Sequence, residues 1–382
     1  MACEASVSPT LSRSLVPYIV PAAQPERLDF GTAPLPRRAT SRFALLLSLW
    51  VAIPAFAQDS AAPSTGLQRA VVLTEYAPLS RSVEVARRLL SPLANLELAR
   101  ASAKTALRLQ AIDLTQEAFT VYVPVKQPSR GYGLLVFIPP WQDAHLPAGW
   151  AAVLDDFGMI FVSAAKSGNE ENVLDRRIPL ALLGAYNMLQ RYPIDSDRVY
   201  IGGFSGGSRV AMKVALAYPD LFRGALLNAG SDSIGDREAI LPPADLFAQF
   251  QNSSRLVYVT GSEDSWNVQH DMASQASLHA WCVFGLEVET MFRVGHEIAV
   301  PYAARRALAA LDRLSSDGAG KLSACRARIA GELSADLKHV GDLLDRDQHH
   351  DAWRSLTKVD ARYGGLASAE IIELEGRIGS SR

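Results

Sequence analysis

Val199-Tyr200-Ile201-Gly202-Gly203-Phe204-Ser205-Gly206-Gly207-Ser208-Arg209-Val210-Ala211-Met212-Lys213 is the stretch that decides the fold. Its apolar start reads as a short strand, its glycine-dense middle as a turn with one serine at the tip, and its end as a helix. Val210, Val214 and Leu216 give that helix a buried stripe, and Pro219 ends it. Residues without a Cβ beside the serine allow strand and helix to approach closely and the turn to adopt a strained conformation. Ser205 then stands at the positive end of a helix, where developing negative charge is favoured. A glycine-rich loop with an ordinary serine is the alternative, but Gly203-Phe204-Ser205-Gly206-Gly207 fits G-x-S-x-G with a strand before it and a helix after it.

Upstream, Gly133-Leu134-Leu135-Val136-Phe137-Ile138 is a continuous apolar run, as expected of a strand buried on both faces. Met159-Ile160-Phe161-Val162-Ser163-Ala164 is a second such strand. Residues 150–158 and 177–191 read as helices. Downstream, residues 224–230 and 254–261 read as strands, 287–294 alternates as an outer strand, and 301–314 is a helix. Strands that alternate with helices predict an α/β doubly wound, mostly parallel sheet. Before it, residues 80–104 read as one helix, and 106–112 and 118–124 as opening antiparallel strands. Residues 58–66 read as a leader.

A serine hydroxyl needs an adjacent base. Of the seven histidines, His296 follows the outer strand directly, in Val294-Gly295-His296-Glu297, and His270 is a rival placed in a loop. The acid belongs after the strand ending at Thr260, where Thr260-Gly261-Ser262-Glu263-Asp264 offers Asp264, with Glu263 or Asp271 as substitutes. Its role would be to orient and stabilise the imidazolium. An oxyanion hole needs two backbone N–H groups, one of them from Gly206. The other belongs after Ile138. Pro139 and Pro140 have no N–H, so Trp141 or Gln142 must supply it.

These residues, together with Asp195-Ser196-Asp197-Arg198 before the elbow and Gly261-Ser262 after the acid strand, make residues 105–314 resemble the α/β-hydrolase superfamily. Within it they resemble the secreted polyhydroxyalkanoate depolymerase and feruloyl-esterase-like group. The resemblance implies cleavage of a small or polymeric ester through an acyl-enzyme on Ser205. Pro139-Pro140 replaces the His-Gly pair usual in that group. A serine peptidase on the same scaffold, or a catalytically inactive binding module, are the rival readings.

With 382 residues, 48% of them hydrophobic and 20% charged, the chain can bury a large core and a smaller second one. A net charge of −2 and no basic run argue against a nucleic-acid partner. No cofactor or metal-ligand spacing is present. Residues 43–53 form an apolar core behind Arg37, Arg38 and Arg42, and Ala55-Phe56-Ala57 fits a small-x-small cleavage site. The run is shorter than a membrane span, so residues 1–57 read as a signal peptide with a long lead, for a periplasmic or extracellular protein. Its removal takes away five arginines, three acids and Cys3, which leaves a charge of −4. Cys282 and Cys325 remain, either as a disulfide or as two buried thiols. Residues 317–320 read as a linker and 315–382 as a helical region. Residues 342–356 resemble the middle of one tetratricopeptide repeat. That tail is expected either to cap the hydrolase or to dock a protein partner. In the loops around the site, Glu170, Glu171, Asp175, Arg176 and Arg177 read as a solvated charged face.

Overall fold

A computed structural model describes residues 64–102, 108–313 and 319–380, which fall within a single unit. The expected signal peptide lies outside the described residues.

The elements in chain order are β1 (Gly66–Val71), α1 (Ser82–Leu89), α2 (Pro92–Ser102), β2 (Phe119–Val123), β3 (Tyr132–Ile138), α3 (Trp150–Phe157), β4 (Met159–Ala164), α4 (Ile178–Arg191), β5 (Ile194–Phe204), α5 (Gly206–Ala217), β6 (Gly224–Asn228), α6 (Ala244–Ser253), β7 (Arg255–Gly261), α7 (Ser265–Ala280), β8 (Leu286–Met291), α8 (Pro301–Asp312), α9 (Ala319–Leu344), α10 (His349–Tyr363) and α11 (Ser368–Ser380). The eight strands form one sheet in the order β1-β2-β4-β3-β5-β6-β7-β8. β1 and β2 pair antiparallel, as do β2 and β4, and every later pair is parallel. This order, with β5 turning into α5 through a serine elbow, is the α/β-hydrolase fold.

Successive side chains of a strand point to opposite faces, so each central strand feeds two cores. Leu134, Val136 and Ile138 of β3 join one apolar cluster with α4, α5 and α6. Leu135 and Phe137 join the other with α3 and α8. Tyr200 and Ile201 divide in the same way. Both faces of β3, β4, β6 and β7 are dry, which explains why the sequence shows continuous apolar runs there, whereas the outer strand β8 is partly exposed and alternates.

Four local expectations are corrected. The single helix expected over 80–104 is two, because Pro92 disfavours helical backbone at the residue before it, and Leu90 is already extended at ψ 150°. The strand expected over 106–112 is absent from its described part. Residues 108–112 make only one isolated bridge, Gln110 to Arg81. Residues 66–71, partly assigned to a leader, form the edge strand β1, which went unrecognised because none of it is fully buried and it carries little apolar signal. Gly320, expected in a linker, lies in α9.

The C-terminal helices share the first cluster with the sheet layer. Ile329, Val340, Leu343, Leu356, Val359, Tyr363, Ile371 and Ile378 are all buried in it. Cys282, after α7, and Cys325, in α9, are joined by a disulfide, which resolves the question the sequence left open. Asp360 of α10 reaches the start of α2, where it accepts from Leu93 N at 3.0 Å and Ser91 Oγ at 2.5 Å. It thereby satisfies one of the N–H groups that a helix start leaves unpaired, together with a serine hydroxyl. Tyr363 meets Trp281 edge to face at 5.8 Å.

Candidate active site

The elbow dictates the geometry. Ser205 has φ 55° and ψ −124°, a region costly for any residue with a Cβ. The strain persists because the flanks are locked. Ser205 N donates to Asn228 O on β6 at 2.9 Å. A Cβ on Gly207 would come within 1.9 Å of Ile138 O, and one on Gly203 within 2.4 Å of Gly207. Only glycine permits β3, β5 and α5 to lie this close.

His296 rests on a loop anchored from two sides. Asn228, fully buried, accepts from Ala299 N at 2.6 Å and donates to Val259 O at 2.8 Å. Trp150 Nε1 donates to Ala299 O at 2.8 Å. The acid loop is stitched to the histidine loop. Glu263 N donates to Val294 O at 2.9 Å, and Arg293 N to Ser262 Oγ at 2.8 Å. Gly261 has no room for a Cβ, which would lie 2.2 Å from Val294 O.

These anchors bring the three expected residues together. His296 Nε2 lies 2.9 Å from Ser205 Oγ, and His296 Nδ1 lies 2.6 Å from Asp264 Oδ2. The His296 side chain is 45% exposed and that of Asp264 8% exposed, so the imidazole faces solvent while its carboxylate partner is sheltered. Burial alone would raise the Asp264 pKa, but hydrogen bonds from His296 and Asn267 outweigh it and hold the carboxyl below its ordinary value. Asp264 also caps α7 and accepts from Asn267 N at 3.4 Å.

The rivals point elsewhere. His270 is not in a loop but on α7, where it bonds Trp266 O at 2.8 Å. Asp271 accepts from Thr260 Oγ1, and burial pushes its pKa up to about 6, unlike an acid that must stay ionised beside an imidazole. One residue went unseen in the sequence and another was misread. Asn267 is buried. Its Nδ2 donates to Asp264 Oδ2 at 2.7 Å and lies 3.0 Å from His296 Nδ1, while its Oδ1 accepts from Arg209 Nη2 at 3.1 Å. The available signal was its place three residues after a helix-capping aspartate. Arg177, taken for a solvated charge, is 3% exposed, which corrects that expectation. Arg176 pairs with Glu117 at 2.7 Å and with Glu171 at 3.4 Å.

On the oxyanion side, Gly206 opens α5, and its N–H is one of those a helix start leaves without an intrahelical partner. The Trp141 ring stacks on His145 at 4.7 Å and approaches Phe204 at 6.0 Å, and Phe204 stacks on His296 at 4.9 Å. Gln142 is exposed, and its carbonyl accepts from Lys166 N at 2.6 Å. Among the described residues, no group of three or more His, Cys, Asp or Glu is placed to hold a metal ion.

No protein-family model and no curated protein matches the chain. Among solved structures it is similar to an S-formylglutathione hydrolase from Staphylococcus aureus, at 14% identity and a TM-score of 0.40, with 51% of this chain and 90% of that one covered. It is similar to an acetyl xylan esterase from Aspergillus awamori, at 15% identity and a TM-score of 0.39, with 51% and 95% covered. It is also similar to dipeptidyl peptidase 4 from Porphyromonas gingivalis, at 16% identity and a TM-score of 0.37, where 52% of this chain matches only 34% of the other.

Proposed function

We propose that the protein is a serine hydrolase that cleaves a carboxylic ester through an acyl-enzyme on Ser205, and that it works outside the cytoplasm. The observation that carries the proposal is the continuous hydrogen-bonded line from Asp264 through His296 to Ser205, at 2.6 and 2.9 Å, ending on a strained serine at a helix N-terminus. In this scheme Ser205 Oγ attacks the acyl carbon while His296 Nε2 takes its proton. The tetrahedral oxyanion is received by the N–H groups of Gly206 and Trp141. Collapse breaks the bond from the acyl carbon to the leaving oxygen, which takes the proton from Nε2 and departs as the alcohol. Water then attacks the acyl group while His296 takes its proton, and collapse releases the acid as His296 returns that proton to Ser205 Oγ. Asp264 holds the imidazole and stabilises its cationic form without accepting the proton.

The preference for an ester over a peptide follows the resemblance to secreted esterases in the 105–314 region. Export is supported by the Cys282–Cys325 disulfide, a bond that persists in oxidising compartments, together with the signal-peptide pattern before residue 58.

Hydrolysis of p-nitrophenyl esters of graded acyl length, beside a peptide p-nitroanilide series, tests the proposal. Ser205→Ala is expected to lower kcat by at least about 10⁴-fold and to abolish labelling by a fluorophosphonate. Equal activity in the variant would remove Ser205 from the chemistry. A wild-type protein that neither labels nor hydrolyses either series would leave the binding-module reading in its place.

A further inference from the structure

The loop after β3 carries two prolines, so the aim of its next N–H, at Trp141, depends on what holds the loop's carbonyls. Pro139 O accepts from Arg177 Nη2 at 2.9 Å. Pro140 O accepts from Asn169 N at 3.0 Å, and Gln142 O from Lys166 N at 2.6 Å. The same guanidinium donates through Nε to Ser167 O at 2.9 Å. Arg177 thus bonds the 139–142 loop with one nitrogen and the 166–169 loop with another. Gly168 shows how tightly the two loops meet. A Cβ there would lie 2.9 Å from the Trp141 carbonyl carbon and 3.1 Å from Pro140 O.

Arg177 is held there at a cost. It is 3% exposed, and among the described residues no carboxylate lies within ion-pair distance of it. Burial pulls its pKa down to about 10, opposed only by the through-space field of Glu171, so it remains a cation at neutral pH. A buried guanidinium whose partners are backbone carbonyls is expensive to desolvate, and an apolar side chain would fill a packing role better. The planar fork of arginine suits the holding of two carbonyls at a fixed separation, which a lysine ammonium cannot do with equal rigidity.

We propose that Arg177 is a positioning residue that holds the Pro139–Gln142 loop so that the Trp141 N–H meets the oxyanion formed on the Ser205 adduct. The inference rests on the serine-hydrolase reading and adds the device that makes a double-proline loop serviceable in that role.

The test compares Arg177→Met, Arg177→Lys and Gly168→Ala with wild type on the best p-nitrophenyl ester, with melting temperature and inhibition by phenylboronic acid measured in parallel. Gly168→Ala presses on the same peptide without emptying a buried charge site, so it serves if Arg177→Met does not fold. Arg177→Met is expected to lower kcat about 100-fold, the scale of one lost oxyanion donor. KM should change by less than about threefold, because the N–H acts on the transition state rather than on ground-state binding. Arg177→Lys should recover part of the loss, and Gly168→Ala should lose roughly tenfold. The tetrahedral boronate should weaken in step with kcat, which a purely structural role would not produce. The inference is overturned if folded Arg177→Met keeps kcat within about twofold of wild type, if the loss is confined to KM, or if Gly168→Ala is unaffected when Arg177→Met is insoluble. An inactive, unlabelled wild type overturns the serine-hydrolase reading along with it. An active wild type with intact variants overturns the positioning role alone.

Discussion

A methyl group added at residue 207 would land 1.9 Å from the carbonyl oxygen of Ile138, whereas one added at residue 331, in α9, would meet nothing within 4 Å. The two glycines mark two ways of building. At the edge of the sheet that carries Ser205, backbone lies on backbone, loops are stitched by single hydrogen bonds, and polar side chains such as Asn228, Asn267 and Arg177 are buried to fix them. In the C-terminal helices, adhesion comes mainly from an apolar stripe and one disulfide, with Asp360 as a buried polar tie to α2 and a surface ion pair between Arg100 and Glu375. Close backbone contact tolerates no added atom, while a helix exposed along one side tolerates many.

The largest effect should therefore come at the elbow. Gly207→Ala is expected to abolish fluorophosphonate labelling and to cost about 4 kcal/mol or more of stability, since neither the end of β3 nor the start of α5 can retreat from the new methyl. Urea titration followed by tryptophan fluorescence, beside labelling, measures both. An active, stable variant would show that the elbow has slack, and the contrast between the two regions would fail at its sharpest point.

Next comes the covalent tie. The Cys282–Cys325 bridge spans 43 residues and fastens α9 to the end of α7. The chain-entropy account gives a loop of that size up to about 4 kcal/mol, and about 3 kcal/mol is expected on reduction, read as a lower urea midpoint. Fluorophosphonate labelling at 25 °C should survive, because none of the bonds that hold Ser205, His296 and Asp264 passes through the tail. Labelling lost on reduction would mean that the helices support the site, and the two regions would have to be treated as one.

The same contrast governs what the sequence discloses. The elbow, His296 and Asp264 were legible because close packing leaves a composition: glycines where no Cβ fits, and polar residues at the ends of apolar strands. The inner parallel strands were legible because burial on both faces makes them uniformly apolar, and the outer strand β8 because burial on one face makes it alternate. β1 was not, since an exposed edge strand has neither mark. Arg177 was hidden among charges that read as a wet surface. Its signal was helical phase, because Leu180, Ala181 and Gly184 follow at the spacing of one buried face. Asn267 and His270 were obscured because periodicity did not identify the start of α7, a helix whose early turns are mostly polar. How Trp141 is oriented depends on loops brought together only by the fold, and no local pattern encodes it.

The smallest effect, and the one that tests the tail half of the contrast, is at Gly331. It is exposed in the middle of α9, and its backbone is not in the left-handed region that would exclude a side chain. Alanine there removes conformational freedom from the unfolded chain and adds no clash, so Gly331→Ala should raise stability by about 0.5–1 kcal/mol. Catalysis should be unchanged. The expected shift is small, so the urea midpoint should be compared in wild type and variant with the disulfide both intact and reduced. If α9 owes its helical state to packing and propensity, the gain appears in both forms. A gain that vanished on reduction would mean that the bridge, rather than the apolar stripe, keeps α9 folded against the sheet layer, and the tail would then depend on one covalent fixed point, unlike the site with its many separate anchors.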